Sequence, residues 1–136
     1  MTTRTAAERR ADARTSHLTR VADCPTNRLL ERIGEKWVSL VLKELADGPR
    51  RYGDLARTIA SASPKMLTQT LRRLERDGLL SRTVTPAVPV RVEYALTPLG
   101  QSLMPVLYAL SGWAERNIEQ VEAARRSYDV AQRSSS

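Results

Sequence analysis

Residues 63–78 restrict the fold of this chain more than any other segment does. Ser63 is a residue type that caps helix N-termini, and Pro64 suits the first helical position after such a cap. An apolar side chain then recurs every three or four residues until Gly78, a residue type that commonly ends helices. We therefore predict an amphipathic helix over residues 64–77, with Met66 or Thr70 at the edge of its buried stripe. That stripe consists of Leu67, Leu71 and Leu74.

The flanking sequence predicts the remaining elements. Helical periodicity predicts three shorter helices, at residues 26–33, 36–46 and 53–60. The apolar face of the 36–46 helix consists of Trp37, Leu40, Val41 and Leu45. Period-two alternation predicts two strands, at residues 80–85 and 91–96. A second cap-and-proline pair, Thr97 and Pro98, opens a long helix that we predict to end near Ala124, with Pro105 loosening an early turn. This order predicts a mainly α fold with a small β-hairpin, a winged helix-turn-helix.

The 136-residue chain has room for one ordinary domain. We assign residues 23–124 to the winged-helix domain. Residues 1–22 form a polar N-terminal arm, for which a marginal helix and a frayed segment are both compatible with the composition. Residues 125–136, which end in a run of serines, are expected to form a C-terminal tail.

Positive charge is concentrated in the middle of the chain. The formal net charge is +7, and residues 50–91 alone carry nine basic and three acidic side chains. Such a block is the expected footprint of a polyanionic partner, because neutralising phosphates releases counterions. A solvated basic face is the alternative when charge alone is considered.

The side-chain inventory excludes several classes of protein. One Cys and one His are too few for an internal disulfide or a zinc site. The sequence has no glycine-rich phosphate loop, nucleophile elbow or spaced catalytic carboxylates, so we expect no enzymatic activity, no catalytic residue and no cofactor. No stretch approaches the ~20 apolar residues of a membrane span, and no secretory signal is recognised. We expect a cytoplasmic protein without a membrane partner.

The polar face of the 64–77 helix is suited to double-stranded DNA. Gln69 can bond adenine through two hydrogen bonds, Arg72 can bond guanine or a phosphate, and Thr68 suits a thymine methyl group or a phosphate. Base contact and phosphate contact both remain open for Gln69 and Arg72. Phosphate contact or solvation is the expected role of Lys65, Arg73 and Arg76.

The predicted hairpin supplies further candidate DNA contacts. Arg82 and Arg91 flank its proline-rich loop, where a wing meets the minor groove or the backbone. A cross-strand pair with Glu93 is the alternative for Arg82. Arg51 and Ser63 complete the predicted DNA-binding set.

Four runs of sequence resemble the HxlR-type regulators. They are IGEKW at 33–37, GPRRYGDL at 48–55, SPKMLTQTLRRLERDGL at 63–79 and VPVRVEYALTPLG at 88–100. The resemblance covers roughly residues 24–113. It implies a MarR-like winged-helix homodimer that represses or activates neighbouring genes, and of the two roles we expect repression. The arm before residue 23 is longer than in most such proteins, and residues 123–136 lie outside the shared pattern.

The long helix predicts a homodimer formed through the terminal helices. Its apolar stripe is longer than a domain of this size can cover, and a large exposed apolar patch usually marks an association surface. The expected interface residues are Leu103, Val106, Leu107, Leu110, Trp113 and Ile118. A two-fold dimer places two recognition helices roughly 34–36 Å apart, which predicts a pseudo-palindromic operator. The alternative is a stripe that packs entirely on helices of its own chain.

Cys24 is a candidate redox sensor. It precedes the first core helix, whose N-terminus favours a thiolate, whereas Asp23 opposes that effect. In HxlR-type proteins a Cys here is common and senses oxidation or electrophiles in several, so the resemblance implies the same role. With one Cys in the chain, oxidation can give only an intersubunit disulfide, a mixed disulfide or an electrophile adduct. An inert thiol beside the dimer interface is the alternative.

A small-molecule effector is the competing signal. Its candidate pocket between core and dimer helices consists of Trp37, Tyr52, Tyr94, Tyr108 and Trp113. Ordinary core packing explains these aromatic residues equally well. Two other classes of function also stay open. One is a nonspecific architectural DNA-binding protein, and the other is a protein-interaction domain, against which the central basic segment argues.

Overall fold

The computed structural model describes the backbone of residues 5–22 and 24–135 and the side chains of all of these except residues 15–22. The chain forms two compact units, and the boundary between them follows Ser39. The described helices are α1 (Ala6–Ala22), α2 (Pro25–Ile33), α3 (Val38–Glu44), α4 (Tyr52–Thr58), α5 (Pro64–Arg76) and α6 (Pro98–Ser134). The described strands are β1 (Arg50–Arg51), β2 (Leu80–Thr85) and β3 (Arg91–Leu96). The predicted fold class, mainly α with a small β-hairpin, is confirmed, and a short third strand extends the hairpin to a three-stranded sheet.

In the first unit, most of the predicted arm is helical. Helix α1 begins with a capping box that the sequence analysis missed. The Glu8 amide donates to Thr5 Oγ1 at 3.1 Å, and the Thr5 amide donates to Glu8 Oε2 at 2.8 Å. A marginal helix and a frayed segment were the two alternatives for this arm, and residues Ala6–Ala22 form the helix. The first four residues of the arm lie outside the described residues.

Helix α3 begins later than predicted. Trp37 has a φ of 77°, a left-handed conformation that cannot lie inside a right-handed helix, so α3 starts at Val38 instead of Lys36. Its buried residues are Val38, Val41 and Leu42, followed by Leu45. The expected apolar face was wrong at Leu40, which lies on the other side of the helix and is 45% exposed.

The second unit contains a three-stranded antiparallel sheet in the order β1-β3-β2. Strands β2 and β3 have the predicted bounds, and their register runs from Leu80 opposite Leu96 to Thr85 opposite Arg91. The two-residue strand β1 pairs with β3 and was not predicted. A strand that short has no periodicity by which a sequence could reveal it.

Helix α6 is longer than predicted. It runs through Pro105 and continues past Ala124 to Ser134, so most of the expected tail is helical. Residues 125–134 are all exposed. They contain no Gly or Pro, and their Ala, Arg and Gln residues are good helix formers, so the helix continues without a buried face. The domain boundary at 124 stays a prediction.

Candidate nucleic-acid interface

Helix α5 is held in place from both its start and its buried face. The Met66 amide donates to Ser63 Oγ at 3.1 Å, which confirms the predicted cap. The three predicted leucines are each at most 2% exposed. Thr70, expected at the edge, is also buried, because its hydroxyl donates to the Met66 carbonyl at 2.9 Å and so needs no water. The helix is therefore a rigid support for the residues on its outer face.

The outer face of α5 combines exposed cations with two half-buried polar residues. Thr68 and Gln69 are the half-buried pair. The exposed cations are Lys65, Arg72, Arg73 and Arg76. Among the described residues, neither Arg72 nor Arg76 forms an ion pair with an acidic side chain. Their guanidinium groups are available to an anionic partner.

A depression of about 220 Å³ lies between α5 and the hairpin. Thr68, Arg72 and Glu75 line it from the helix, and Arg82 and Tyr94 line it from the sheet. Three of the predicted DNA-binding residues therefore lie around one depression, although they come from two elements.

The alternative pairing of Arg82 with Glu93 was wrong. The register places Arg82 opposite Tyr94 and Thr83 opposite Glu93. Since neighbouring residues on a strand point to opposite faces of the sheet, Arg82 and Glu93 lie on opposite faces. In the β1-β3 pair it is Arg51 that lies opposite Glu93.

A larger depression, of about 520 Å³, lies between α4 and the hairpin loop. Its lining residues are Arg51, Tyr52, Gly53, Asp54, Arg57, Pro89, Val90, Arg91 and Val92. Arg51 and Arg91, both predicted from the sequence, are thus brought together with Arg57, which was not in the predicted set. The sequence signal for Arg57 was weak because Asp54, three residues earlier, makes it resemble an ordinary surface ion pair.

The five aromatic residues of the candidate ligand pocket lie in different surroundings. Tyr52 and Tyr94 line the two different depressions just described. Tyr108 and Trp113 are half-exposed on α6. In the first unit, Lys36 Nζ lies 4.9 Å from the Trp37 ring centroid, a cation–π contact. A single pocket formed by all five stays a prediction.

Helix α6 presents most of its predicted interface residues to solvent. Val106, Leu110, Trp113 and Ile118 are each 45–54% exposed, and Leu103 is half-buried. Leu107 is 2% exposed, so its assignment to a dimer interface was wrong. Leu107 follows Val106 by one position. Because successive residues of an α-helix point in different directions, Leu107 faces the core of its own chain while Val106 faces solvent.

Cys24 occupies the N-cap position of α2 and is partly exposed. The backbone amide of Asn27, followed by that of Thr26, stabilises the thiolate and lowers the pKa of Cys24 below its usual value. The direction of this shift agrees with the predicted effect of the helix N-terminus. Asp23, expected to oppose it, lies outside the described residues.

None of the helices in the described part of the chain combines the length and the apolar composition that a bilayer span requires.

Known transcriptional regulators are similar to this chain in sequence and in fold. YtfH of Escherichia coli K12, an HTH-type transcriptional regulator, is 43% identical over 102 residues, which cover 75% of this chain and 81% of YtfH. The solved structure of the regulator ytfH from Salmonella typhimurium is 43% identical, has a TM-score of 0.66, and is matched over 77% of this chain and 94% of that one. The reduced form of the redox regulator HypR is 36% identical with a TM-score of 0.68, over 73% and 98% of the two chains.

A family model described as HxlR-like helix-turn-helix matches residues 32–122, which include α3, the sheet, α5 and the exposed part of α6 up to Val121. The chain belongs to the HxlR-like family of helix-turn-helix transcriptional regulators.

Proposed function

We propose that this protein acts in the cytoplasm as a homodimer. The dimer recognises the base sequence of a pseudo-palindromic operator and represses transcription. The observation that carries the proposal is the outer face of α5. Its cations and half-buried polar residues lie on a capped helix whose opposite face is buried, so the helix can enter a major groove without local unfolding.

The chemistry of this face suits readout of bases as well as attraction to phosphate. Gln69 and Arg72 lie three residues apart and can reach neighbouring base edges. Lys65 and Arg76, near the two ends of α5, are placed to contact phosphates. A face with cations alone would support only nonspecific attraction.

The homodimer is proposed from the exposed apolar side chains of α6. Val106, Leu110 and Trp113 follow one another at helical spacing and are each about half exposed. Covering them with a second copy of α6 removes apolar surface from water, which favours association. A two-fold pair then presents two copies of α5 to one side of the duplex.

The test is a fluorescence-anisotropy titration with two duplexes of about 30 base pairs, long enough for two half-sites one turn apart. One duplex comes from the region upstream of the protein's own gene, and the other is a shuffled sequence of the same composition. We expect the upstream duplex to bind about a thousandfold more tightly at fixed salt. A ratio near one, with a steep salt dependence, would instead indicate the architectural, nonspecific binder.

Thiol sensing by Cys24 is a second candidate function, favoured by the lowered pKa of its thiol. HypR, a redox regulator of related structure, has been solved in oxidized and reduced forms. We propose that Cys24 reacts with an oxidant or electrophile and that the adduct or intersubunit disulfide changes DNA affinity.

The same anisotropy titration distinguishes this switch from a small-molecule signal. Reduced and diamide-treated protein are compared on the upstream duplex, and Cys24→Ser is the control. If diamide changes the affinity of the wild type and leaves that of Cys24→Ser unchanged, Cys24 is the sensor. If both forms of the wild type bind alike, Cys24 is structural and an effector bound near the aromatic residues becomes the leading hypothesis.

A further inference from the structure

Three guanidinium groups converge on the cleft between α4 and the hairpin, the larger of the two depressions described above. Arg51 is the last residue of β1, Arg57 lies near the end of α4, and Arg91 is the first residue of β3. All three side chains are exposed. Residues far apart in sequence thus create one concentrated positive site, and planar guanidinium groups bind phosphate through paired hydrogen bonds.

The acidic residue in this cleft does not cancel its charge. Asp54 is the one carboxylate among the residues that line it, and an ion pair joins it to Arg57. The Arg57 side chain remains 76% exposed despite this contact. Asp54 therefore pairs with Arg57 while leaving most of the Arg57 side chain exposed to a further anion.

The α4 wall of the cleft contacts the start of α5, and its other wall is the hairpin, so the cleft lies beside both elements that the proposed function places on DNA. On one side, the Tyr52 hydroxyl donates a long hydrogen bond, 3.5 Å, to the carbonyl of Pro64, the first residue of α5. On the other side, residues 89–92 belong to the hairpin loop and the start of β3. If α5 occupies a major groove and the hairpin loop meets the adjacent minor groove, the sugar–phosphate backbone that separates the two grooves has to pass between them.

The remaining lining of the cleft matches this backbone better than it matches a simple inorganic anion. Tyr52, Pro89, Val90 and Val92 give it an apolar wall beside the three arginines. A DNA strand alternates anionic phosphates with deoxyribose rings whose carbon faces are apolar. The cleft volume of about 520 Å³ admits a nucleotide-sized segment of such a strand.

We propose that this cleft holds the DNA strand between the major and minor grooves, with Arg57, Arg51 and Arg91 on its phosphates. The inference rests on the proposed function and assigns a DNA contact to Arg57. It predicts a contribution that does not depend on base sequence, because phosphates carry no sequence information.

The test measures the salt dependence of DNA affinity for the full-length protein, with the upstream and the shuffled duplex. For Arg57→Gln we expect the slope of log K against log salt to fall by about 1 and the affinity at low salt to fall about tenfold, equally for both duplexes. Arg125→Gln, an exposed arginine of α6 outside the cleft, is the matched control and should leave both quantities unchanged. Asp54→Asn should tighten binding, an effect that misfolding cannot produce.

A second measurement identifies the phosphate. Single neutral methylphosphonates are introduced along the upstream duplex and tested against wild type and Arg57→Gln. We expect one position, between the grooves, where the two changes together cost no more than either alone, because each removes the same contact. An unchanged slope for Arg57→Gln, or the absence of any coupled phosphate, overturns this inference while leaving the proposed function intact. Failure of the wild type to bind either duplex overturns the proposed function itself.

Discussion

Gly100 lies so close to the carbonyl group of Leu79 that a Cβ atom at position 100 would be 2.0 Å from the Leu79 oxygen. Gly100 is in the first turn of α6, and Leu79 is the residue that precedes β2. The backbone of α6 thus touches the backbone at the start of the hairpin. The Thr97 amide also donates to the Leu79 carbonyl, at 3.2 Å. This contact fixes where the long helix leaves the start of the hairpin.

Gly100→Ala should destabilise the protein. Its methyl group would collide with backbone, which cannot rotate away as a side chain can, so we expect a loss of about 1–3 kcal/mol or more. Urea denaturation followed by far-UV circular dichroism measures it. Gly112→Ala is the matched control in the same helix. Its Cβ would meet only the movable Arg116 side chain, at 3.2 Å, and alanine favours helix. Equal effects of the two changes would contradict this account.

Thr97→Ala should cost about 1–2 kcal/mol of stability, because Thr97 serves two partners at once. Its hydroxyl accepts from the Gly100 amide at 3.1 Å and donates to the Gly78 carbonyl at 2.6 Å. Thr97→Ser keeps the hydroxyl and should retain most of the stability. Thermal unfolding of the two variants provides the measurement, and a serine variant as weak as the alanine variant would show that these hydrogen bonds are not responsible.

Leu107 and Leu110 should differ in what their loss affects. Leu107→Ala removes a fully buried side chain and should lower the free energy of unfolding by about 2–5 kcal/mol. Leu110→Arg places a charge on the exposed stripe and should leave the fold intact while shifting the protein from dimer to monomer. Sedimentation velocity at micromolar concentration reports the second effect. A wild-type protein that is already monomeric would refute the homodimer.

Gln69→Ala and Arg91→Ala should weaken DNA binding in different ways. Loss of the Gln69 amide should relax base preference at one position in each half-site, with a cost of about 1–3 kcal/mol on the preferred base. Loss of Arg91 should weaken binding to all sequences alike. Affinities for a set of single-base variants of the upstream duplex separate the two patterns. A selective change of one base preference in Arg91→Ala would disprove its assignment to phosphate contact.

The reactivity of Cys24 should extend to lower pH than that of an ordinary thiol. The amides of Asn27 and Thr26 lower its pKa in the folded protein, so the thiolate persists below the ~8.5 of a free cysteine and is lost only when pH falls through the lowered value. The rate of iodoacetamide labelling against pH gives the midpoint. The urea-unfolded protein is the control, and its midpoint should be higher. Identical midpoints in the two states would remove the physical basis for sensing by Cys24.

Much of the candidate site could be predicted because its signals are local. The cap at Ser63 and the leucine spacing of α5 depend on residues within a few positions of one another, and the structure confirms both. Whether a predicted arginine pairs with a given neighbour was less predictable. A pair with Glu93 was the alternative to DNA contact for Arg82, and only the strand register shows that the two residues lie on opposite faces of the sheet.

The sequence by itself determined the order of the helices from α2 to α6 and of the two longer strands, the bounds of β2 and β3, and the two cap-and-proline starts at α5 and α6. These depend on hydrogen bonds and periodicity within one segment of chain. Only the tertiary structure decided that Leu107 is buried while Leu110 is exposed, that β1 exists, and that Arg57 lies with Arg91 in one cleft. Each of these depends on which distant residues pack together, and that information is not contained in the spacing of any one segment.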